Sequence, residues 1–283
     1  MTKTTSKFIQ LRRLPDEQFK RLTGVQRSTF TMMVDILVRA DTDKKLRGGR
    51  ANKLRIEDRL LMALEYLREY RTYFHIAQSY GLSESTAYKT CRWVEDTLIK
   101  DKRFALPGKK TLQNSDISFE VVLVDASESP IERPKKGQRR YYSGKKKRHT
   151  LKSQIVINQE TSQIICTDVT NGRRHDFRLF KESNVRCHPD ILIRTDTGYQ
   201  GIHHLHANSE LPKKRSKKHP LTPEDKRRNK QIASERVVNE HVIGAMKRFK
   251  IIADKYRNRR KRFGLRLNLI AGIYNFELKR RGF

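Results

Sequence analysis

The stretch FEVVLVDAS, residues 119–127, decides the fold class. It is an apolar, β-branched run of strand length that ends in Asp125 and a polar loop. Working outward, HTLKSQIVIN (149–158) predicts a second strand, and the turn QETS leads to a third, QIICTDVT (163–170). The last two form a hairpin pair after the first strand. A short helix capped by Asp176 is expected over Asp176–Glu182, and DILIRTDTGYQG (190–201) predicts a fourth strand ending at Asp196 before a glycine turn. Strand, strand, strand, helix, strand, helix is the order of an α/β layer on a mixed sheet.

Upstream the texture is helical. LPDEQFKRL (14–22) has Pro15 at a first helical position, Asp16 and Glu17 in the first turn, and Thr23-Gly24 as a stop. Gln26–Arg39 carries Phe30, Met33, Val34 and Leu37 at helical spacing, and 41–50 reads as a polar linker. From Arg55 to Ile99 the pattern is that of a helix-turn-helix, with Ala77 where two helices cross, Gly81 in the turn and Ser83 as cap. An ordinary helical hairpin carries a similar pattern. In the DNA-binding reading, Ser85, Thr86, Lys89 and Arg92 face outward, while Ala87, Tyr88, Cys91 and Val94 face the core. The expected division is a helical region over 1–46 that is a candidate dimerisation element, the helix-turn-helix unit over 47–110, and an α/β domain over 115–283. Within that last domain TPED (222–225) opens a long helix, and Leu265–Leu278 forms the final one.

Lys and Arg number 63 against 31 Asp and Glu, a net charge of +32. Such an excess calls for a polyanion, either nucleic acid or an anionic membrane surface. No run of 18 apolar residues exists to span a bilayer, and the start has no apolar signal core. The expectation is a soluble cytoplasmic protein. Cys91, Cys166 and Cys187 fit neither a disulfide framework nor a zinc site. Ten Lys or Arg lie in 133–152, nine in 213–230 and seven in 255–266. A charge run is often only a solvated face, but three such tracts around one acidic pocket fit a DNA channel. The tract from Leu211 to Lys218 is expected to order on DNA.

The pocket rests on three acids. Asp125 and Asp196 both follow apolar strands, where α/β sheets bind ligands, although either could simply cap a turn. Glu240 lies in ASERVVNEHVIGAMKRFK (233–250). On one helix, Arg236, Glu240 and Lys247 fall within about 40° of one another. A salt-bridged surface helix is the plainer reading of that stripe. Three hard oxygen ligands suit Mg²⁺ or Mn²⁺ rather than zinc. Asp176 is the main rival for the second acid and Asp168 a distant one.

Together VDASESPIERP, NGRRHDF, RTDTGYQG and RVVNEHVIGAMK resemble a DDE transposase of the insertion sequence 5 family. That family's signature is Y-x2-R-x3-E-x6-K, and Arg236, Glu240 and Lys247 keep its spacing, while Ala233 replaces the tyrosine. The resemblance implies a ribonuclease-H-like catalytic core with Asp125 on the first strand, Asp196 on the fourth and Glu240 on a later helix. It implies two Mg²⁺ ions, with Mn²⁺ as a substitute, held by those acids. It implies hydrolysis at the inverted-repeat ends of an element and attack of the freed 3′-hydroxyls on target DNA, in a prokaryotic nucleoid. Arg236 and Lys247 would face phosphates. Arg139, Arg140, Lys145, Lys146, Lys147, Arg148, Arg173, Arg174 and His175 would join them along double-stranded DNA. Two ends must be held together, so a homodimer on DNA is expected. A catalytically inactive, sequence-specific DNA-binding protein derived from a transposase is the alternative. A general nuclease or RNA-binding protein would have no need of the helix-turn-helix.

Overall fold

The computed structural model describes residues 6–49, 51–114, 119–215 and 220–280. The chain packs as two compact units. One comprises Met1–Ala105, Lys247–Asp254 and Leu265–Phe283; the other comprises Leu106–Met246 and Lys255–Gly264. The end of the chain thus packs with the helical front, whereas the sequence division grouped it with the sheet. Among the described residues no helix is long and apolar enough to cross a membrane.

The helical unit opens with α1 (Lys7–Leu11), α2 (Asp16–Thr23) and α3 (Arg27–Lys45). Pro15 is the N-cap of α2, and Gly24 ends that helix at φ 79°. A Cβ at Gly24 would stand 2.7 Å from the Phe249 ring, so this position needs glycine for space as well as for backbone. α3 runs six residues past Arg39, through half of the expected linker. Its Asp41 accepts from Arg59 at 2.8 Å, and this bond holds the extra turn. The helix-turn-helix then follows as α4 (Ile56–Arg68), α5 (Tyr73–Ser79) and α6 (Glu84–Leu98). The Ser83 hydroxyl accepts from Thr86 N–H, and Leu82 N–H reaches Ala77 C=O across the turn. Ala87, Cys91 and Val94 are buried as expected, but Tyr88 is 40% exposed. Its ring sits edge-on to Tyr73, and its hydroxyl accepts from Arg92 at 3.1 Å, so it belongs to the outer face.

The second unit is built on β1 (Val121–Pro130). After it come α7 (Gln138–Tyr141), β2 (Tyr142–Ser143), β3 (Arg148–Asn158) and β4 (Ile164–Asn171). α8 (Asp176–Glu182), β5 (Leu192–Arg194) and β6 (Ser209–Glu210) complete the sheet region. β3 pairs antiparallel with β1 from Val122↔Asn158 to Pro130↔Thr150, and antiparallel with β4 on its other side. β5 joins β1 in parallel, β6 joins β5 in parallel, and β2 pairs with the start of β3. The order β4-β3-β1-β5-β6 is a mixed sheet of the ribonuclease-H-like kind. Val122, Val124, Val156, Ile165, Phe180 and Ile193 pack as its core. β1 runs five residues beyond Asp125, so that acid sits in mid-strand rather than at a tip. α9 (Pro223–Glu235) starts at a capping box in which Thr222 and Asp225 exchange hydrogen bonds. α10 (Val237–Lys247) follows after a break at Arg236, so the single long helix expected from 222 through 247 is two helices. Residues 216–218 of the tract expected to order on DNA lie outside the described residues.

Back in the helical unit, α11 (Lys250–Ala253) precedes α12 (Phe263–Lys279), the expected final helix. Glu277 of α12 accepts from Gln26 N–H at 2.6 Å and pairs with Arg248 at 2.9 Å. Arg266, counted in the basic tract 255–266, is 1% exposed and donates to Glu95 at 2.8 Å.

Candidate active site

Asp125 lies opposite Ile155 in the middle of the sheet. Its carboxyl is raised to about 6, chiefly by burial and to a lesser degree by the nearby Asp196 and Asp176. Two groups pull it back: Ala126 N–H donates to Oδ1 at 2.8 Å, and Arg236 stands at 3.7 Å. Asp196 follows β5 and caps the DTGY turn, accepting from Gly198 N–H at 2.8 Å. Arg194, two residues back, does not neutralise it. That guanidinium is turned to Glu210 and Glu235, at 2.7 Å each.

Gly198 is where two acids meet. A Cβ there would stand 2.9 Å from Asp196 Oδ1 and 3.1 Å from Asp176 Oδ2. Asp176 is therefore not the helix cap read from the sequence. His175 is the N-cap of α8, without a side-chain bond, and the Asp176 carboxylate turns inward to Lys152 at 2.5 Å. Lys152 is buried, donates to Arg174 C=O at 2.5 Å and lies 3.8 Å from Glu128. Glu128 in turn accepts from the Thr150 hydroxyl at 2.8 Å. Tyr199 is fully buried close to Asp176, Asp125 and Asp196. Burial, then those three carboxylates, hold its phenol well above its usual range. Its hydroxyl has no hydrogen-bond partner among the described residues.

Lys152, Glu128 and Tyr199 were not picked out from the sequence; a lysine inside a strand otherwise buried from Thr150 to Asn158 was the signal available for the first. Lys152→Met is expected to cost about 3 kcal/mol of stability, because removing one partner strands buried charge on the others. The midpoint of urea unfolding measures this, and Lys152→Arg should recover most of the loss. An unshifted midpoint for the methionine variant would show that the carboxylates do not need their cation.

The 236–247 segment departs from the expected single stripe. Glu235, the last residue of α9, is anchored by Arg194, and Arg236 caps that helix and turns toward Asp125. Glu240 is exposed on α10, and Lys247 is the last residue of that helix. Among the described residues no three His, Cys, Asp or Glu side chains converge closely enough to hold a metal ion. The structure thus gathers Asp125, Asp196, Asp176 and Arg236 and does not bring Glu240 to them. Asp168 is committed elsewhere, to Lys109 at 2.6 Å.

The expected DNA contacts fall on two surfaces. Ser85, Thr86 and Lys89 are exposed on α6, with Arg92 half-buried beside Tyr88. On the sheet unit, Lys145, Lys146, Lys147 and Arg148 are exposed around the β2–β3 turn. Arg140, Arg173, Arg174 and His175 line one cleft with Asn171 and Arg178, while Arg139 and Arg173 line another.

Residues 124–275 match the DDE superfamily endonuclease family, and residues 52–102 match the helix-turn-helix of DDE superfamily endonucleases. A relative in Microchaete diplosiphon, the "Probable transposase for insertion sequence element IS702", is 50% identical over 272 residues. That alignment covers 96% of this chain and 98% of the relative. A second, in Streptomyces albus G, the "Putative transposase for insertion sequence element IS112", is 27% identical over 237 residues, 82% of this chain and 84% of the relative. With the helix-turn-helix, the mixed sheet and the clustered aspartates in place, the chain belongs to the DDE superfamily of transposase endonucleases.

Proposed function

We propose that the chain is the transposase of an insertion sequence of the insertion sequence 5 family. It binds the element's terminal inverted repeats, hydrolyses DNA at the ends and joins the freed 3′-hydroxyls to target DNA. The observation that carries this reading is the half-buried acidic cluster. Four carboxylates (Asp125, Asp176, Asp196 and Glu128) face two cations, Arg236 and Lys152, beside a Tyr199 hydroxyl that has no partner among the described residues. Hard oxygens with excess negative charge fit a divalent cation such as Mg²⁺. Asp125 and Asp196 would hold it, with Glu240 as the third ligand. Two such ions supply an activated water and charge stabilisation on a phosphodiester.

The chain's own groups have separate roles. Asp125 and Asp196 orient the site from mid-strand and from a rigid turn. Lys152 keeps Asp176 aligned. Arg236 offers its guanidinium to a phosphate near the scissile bond, and Lys247 its ammonium to one further along. Glu240 lies one helical turn past Arg236, which already reaches Asp125, so a modest shift of α10 on DNA would bring it in. The exposed face of α6 reads the ends in a major groove. The two ends require two copies, giving a homodimer on DNA.

The test is cleavage of DNA that carries the inverted ends flanking the coding sequence, in Mg²⁺, by the parent and by Glu240→Gln. The parent should cut at the ends. The variant should bind them equally and cut at least about 10³-fold more slowly, roughly 4 kcal/mol of barrier. If both bind and neither cuts in Mg²⁺ or Mn²⁺, the chain is a DNA-binding derivative of a transposase. The exposed position of Glu240 is the observation that favours that second reading.

A further inference from the structure

We propose that the cleft over β2 and the start of β3 binds one unpaired nucleotide, its base stacked on Tyr142 and its phosphate held by Arg133, Arg139 and Arg173. The proposal rests on the DNA-processing reading above and names the form of DNA taken up beside the acids. The cleft holds about 610 Å³, within the range of small-ligand sites, and its lining joins guanidinium groups to aromatic rings. Tyr142 is 43% exposed, although it begins a strand. It pairs directly with His149 across the β2–β3 ladder, and the two rings meet edge-to-face at 5.6 Å. That contact braces the Tyr142 ring and leaves much of it open. Gln138 also lines the cleft and accepts from Arg133 Nε at 2.9 Å. With its oxygen occupied, its NH₂ remains to donate to a base edge.

The lining selects the ligand. An inorganic anion would use the arginines and ignore the rings. A protein segment of acidic chemistry would gain little from an exposed tyrosine among cations. A nucleotide uses both, because every base has a π-face and every phosphate a charge. The nucleotide has to be unpaired, since a base inside a duplex has both faces covered by its neighbours.

The cleft is tied to the acids by the backbone itself. Arg173 N–H donates to Arg140 C=O at the end of α7. The next carbonyl, that of Arg174, accepts from Lys152, which holds Asp176 beside Asp196. Arg173 and Asp176 are three positions apart, at most about 11 Å of extended chain. That is roughly three base-pair steps of about 3.4 Å along a duplex axis, and fewer nucleotides of an extended single strand. A strand lying at the acids therefore reaches the Tyr142 cleft within a few nucleotides.

The test uses the full chain and two labelled probes, an octathymidine strand and an octamer of abasic sites with the same phosphates. Anisotropy is read at salt high enough to suppress binding through phosphates alone. The parent should prefer the strand with bases by about tenfold, as expected for one stacked base. Tyr142→Ala should lose that preference and Tyr142→Phe should keep it, with unchanged thermal unfolding for both. A parent without preference, or an alanine variant that retains it, overturns the proposal. Glu240→Gln should keep the preference. A chain that cuts no DNA but shows the Tyr142-dependent preference would retain this pocket while the transposase reading fails. One that cuts its ends without the preference would do the reverse.

Discussion

Asp125→Asn is expected to give a protein that is inert toward DNA yet more stable than the parent when no divalent cation is present. The carboxyl sits at about 6 because burial outweighs the Ala126 N–H bond and the Arg236 charge. A folded value above the ordinary 3.8 means that ionisation opposes folding. The penalty is absent below about pH 4, grows as pH rises through the interval up to 6, and is complete above it. Two units correspond to about 2–3 kcal/mol. Asparagine keeps an oxygen for the Ala126 N–H and removes the charge. Its advantage should therefore appear at pH 8 and vanish at pH 4. Added Mg²⁺ should reverse the ranking, because a cation binding the ionised carboxylate stabilises only the parent. Urea midpoints at both pH values, with and without Mg²⁺, measure all of this. An asparagine variant less stable than the parent at pH 8 without metal would show that Asp125 serves the fold rather than the reaction.

The same residue shows what was legible in the sequence. Asp125 and Asp196 stood out because each follows a short apolar run, a pattern set by neighbours in the chain. Capping is equally local. Ser83, Thr222 with Asp225, and Gly24 are all found ending or starting helices as read. The β3–β4 hairpin and the order of the elements followed from period and turn residues.

What was not legible depends on partners far away in the chain. The helix break at Arg236 has no glycine or proline to announce it. It arises where Glu235 is drawn to Arg194 and Arg236 toward Asp125. Asp176 has the sequence context of a helix cap, and only the fold brings Lys152 to it from a strand 24 positions earlier. The exposed Glu240 keeps the spacing of the family signature without its company. Spacing along a helix fixes which residues share a face, but not what that face meets.

Arg266→Met is expected to be the most destabilising of these substitutions, at about 3–5 kcal/mol. By sequence this arginine closes a run of seven cations in 255–266 and reads as one more phosphate contact. In the structure it is 1% exposed on α12, donates to Glu95 of α6 at 2.8 Å, and lies over the Tyr66 ring and near the Tyr73 hydroxyl. Glu95 is likewise 1% exposed. Removing the guanidinium leaves that carboxylate in an apolar interior, where an unpaired charge costs far more than the pair contributes. The double change Arg266→Met with Glu95→Leu should recover most of the loss, and a double-mutant cycle on denaturation midpoints reads the coupling. Because Glu95 lies on the helix that presents Ser85, Thr86 and Lys89, the single variant should also loosen α6 and weaken duplex binding. The double variant, with both charges gone and the helix packed again, should bind DNA as the parent does. Lys89→Ala separates the two roles: it should weaken DNA binding at unchanged stability. Were the double variant stable but still unable to bind duplex, Arg266 would be a DNA contact after all, and its burial in the folded helical unit would not describe the DNA-bound form.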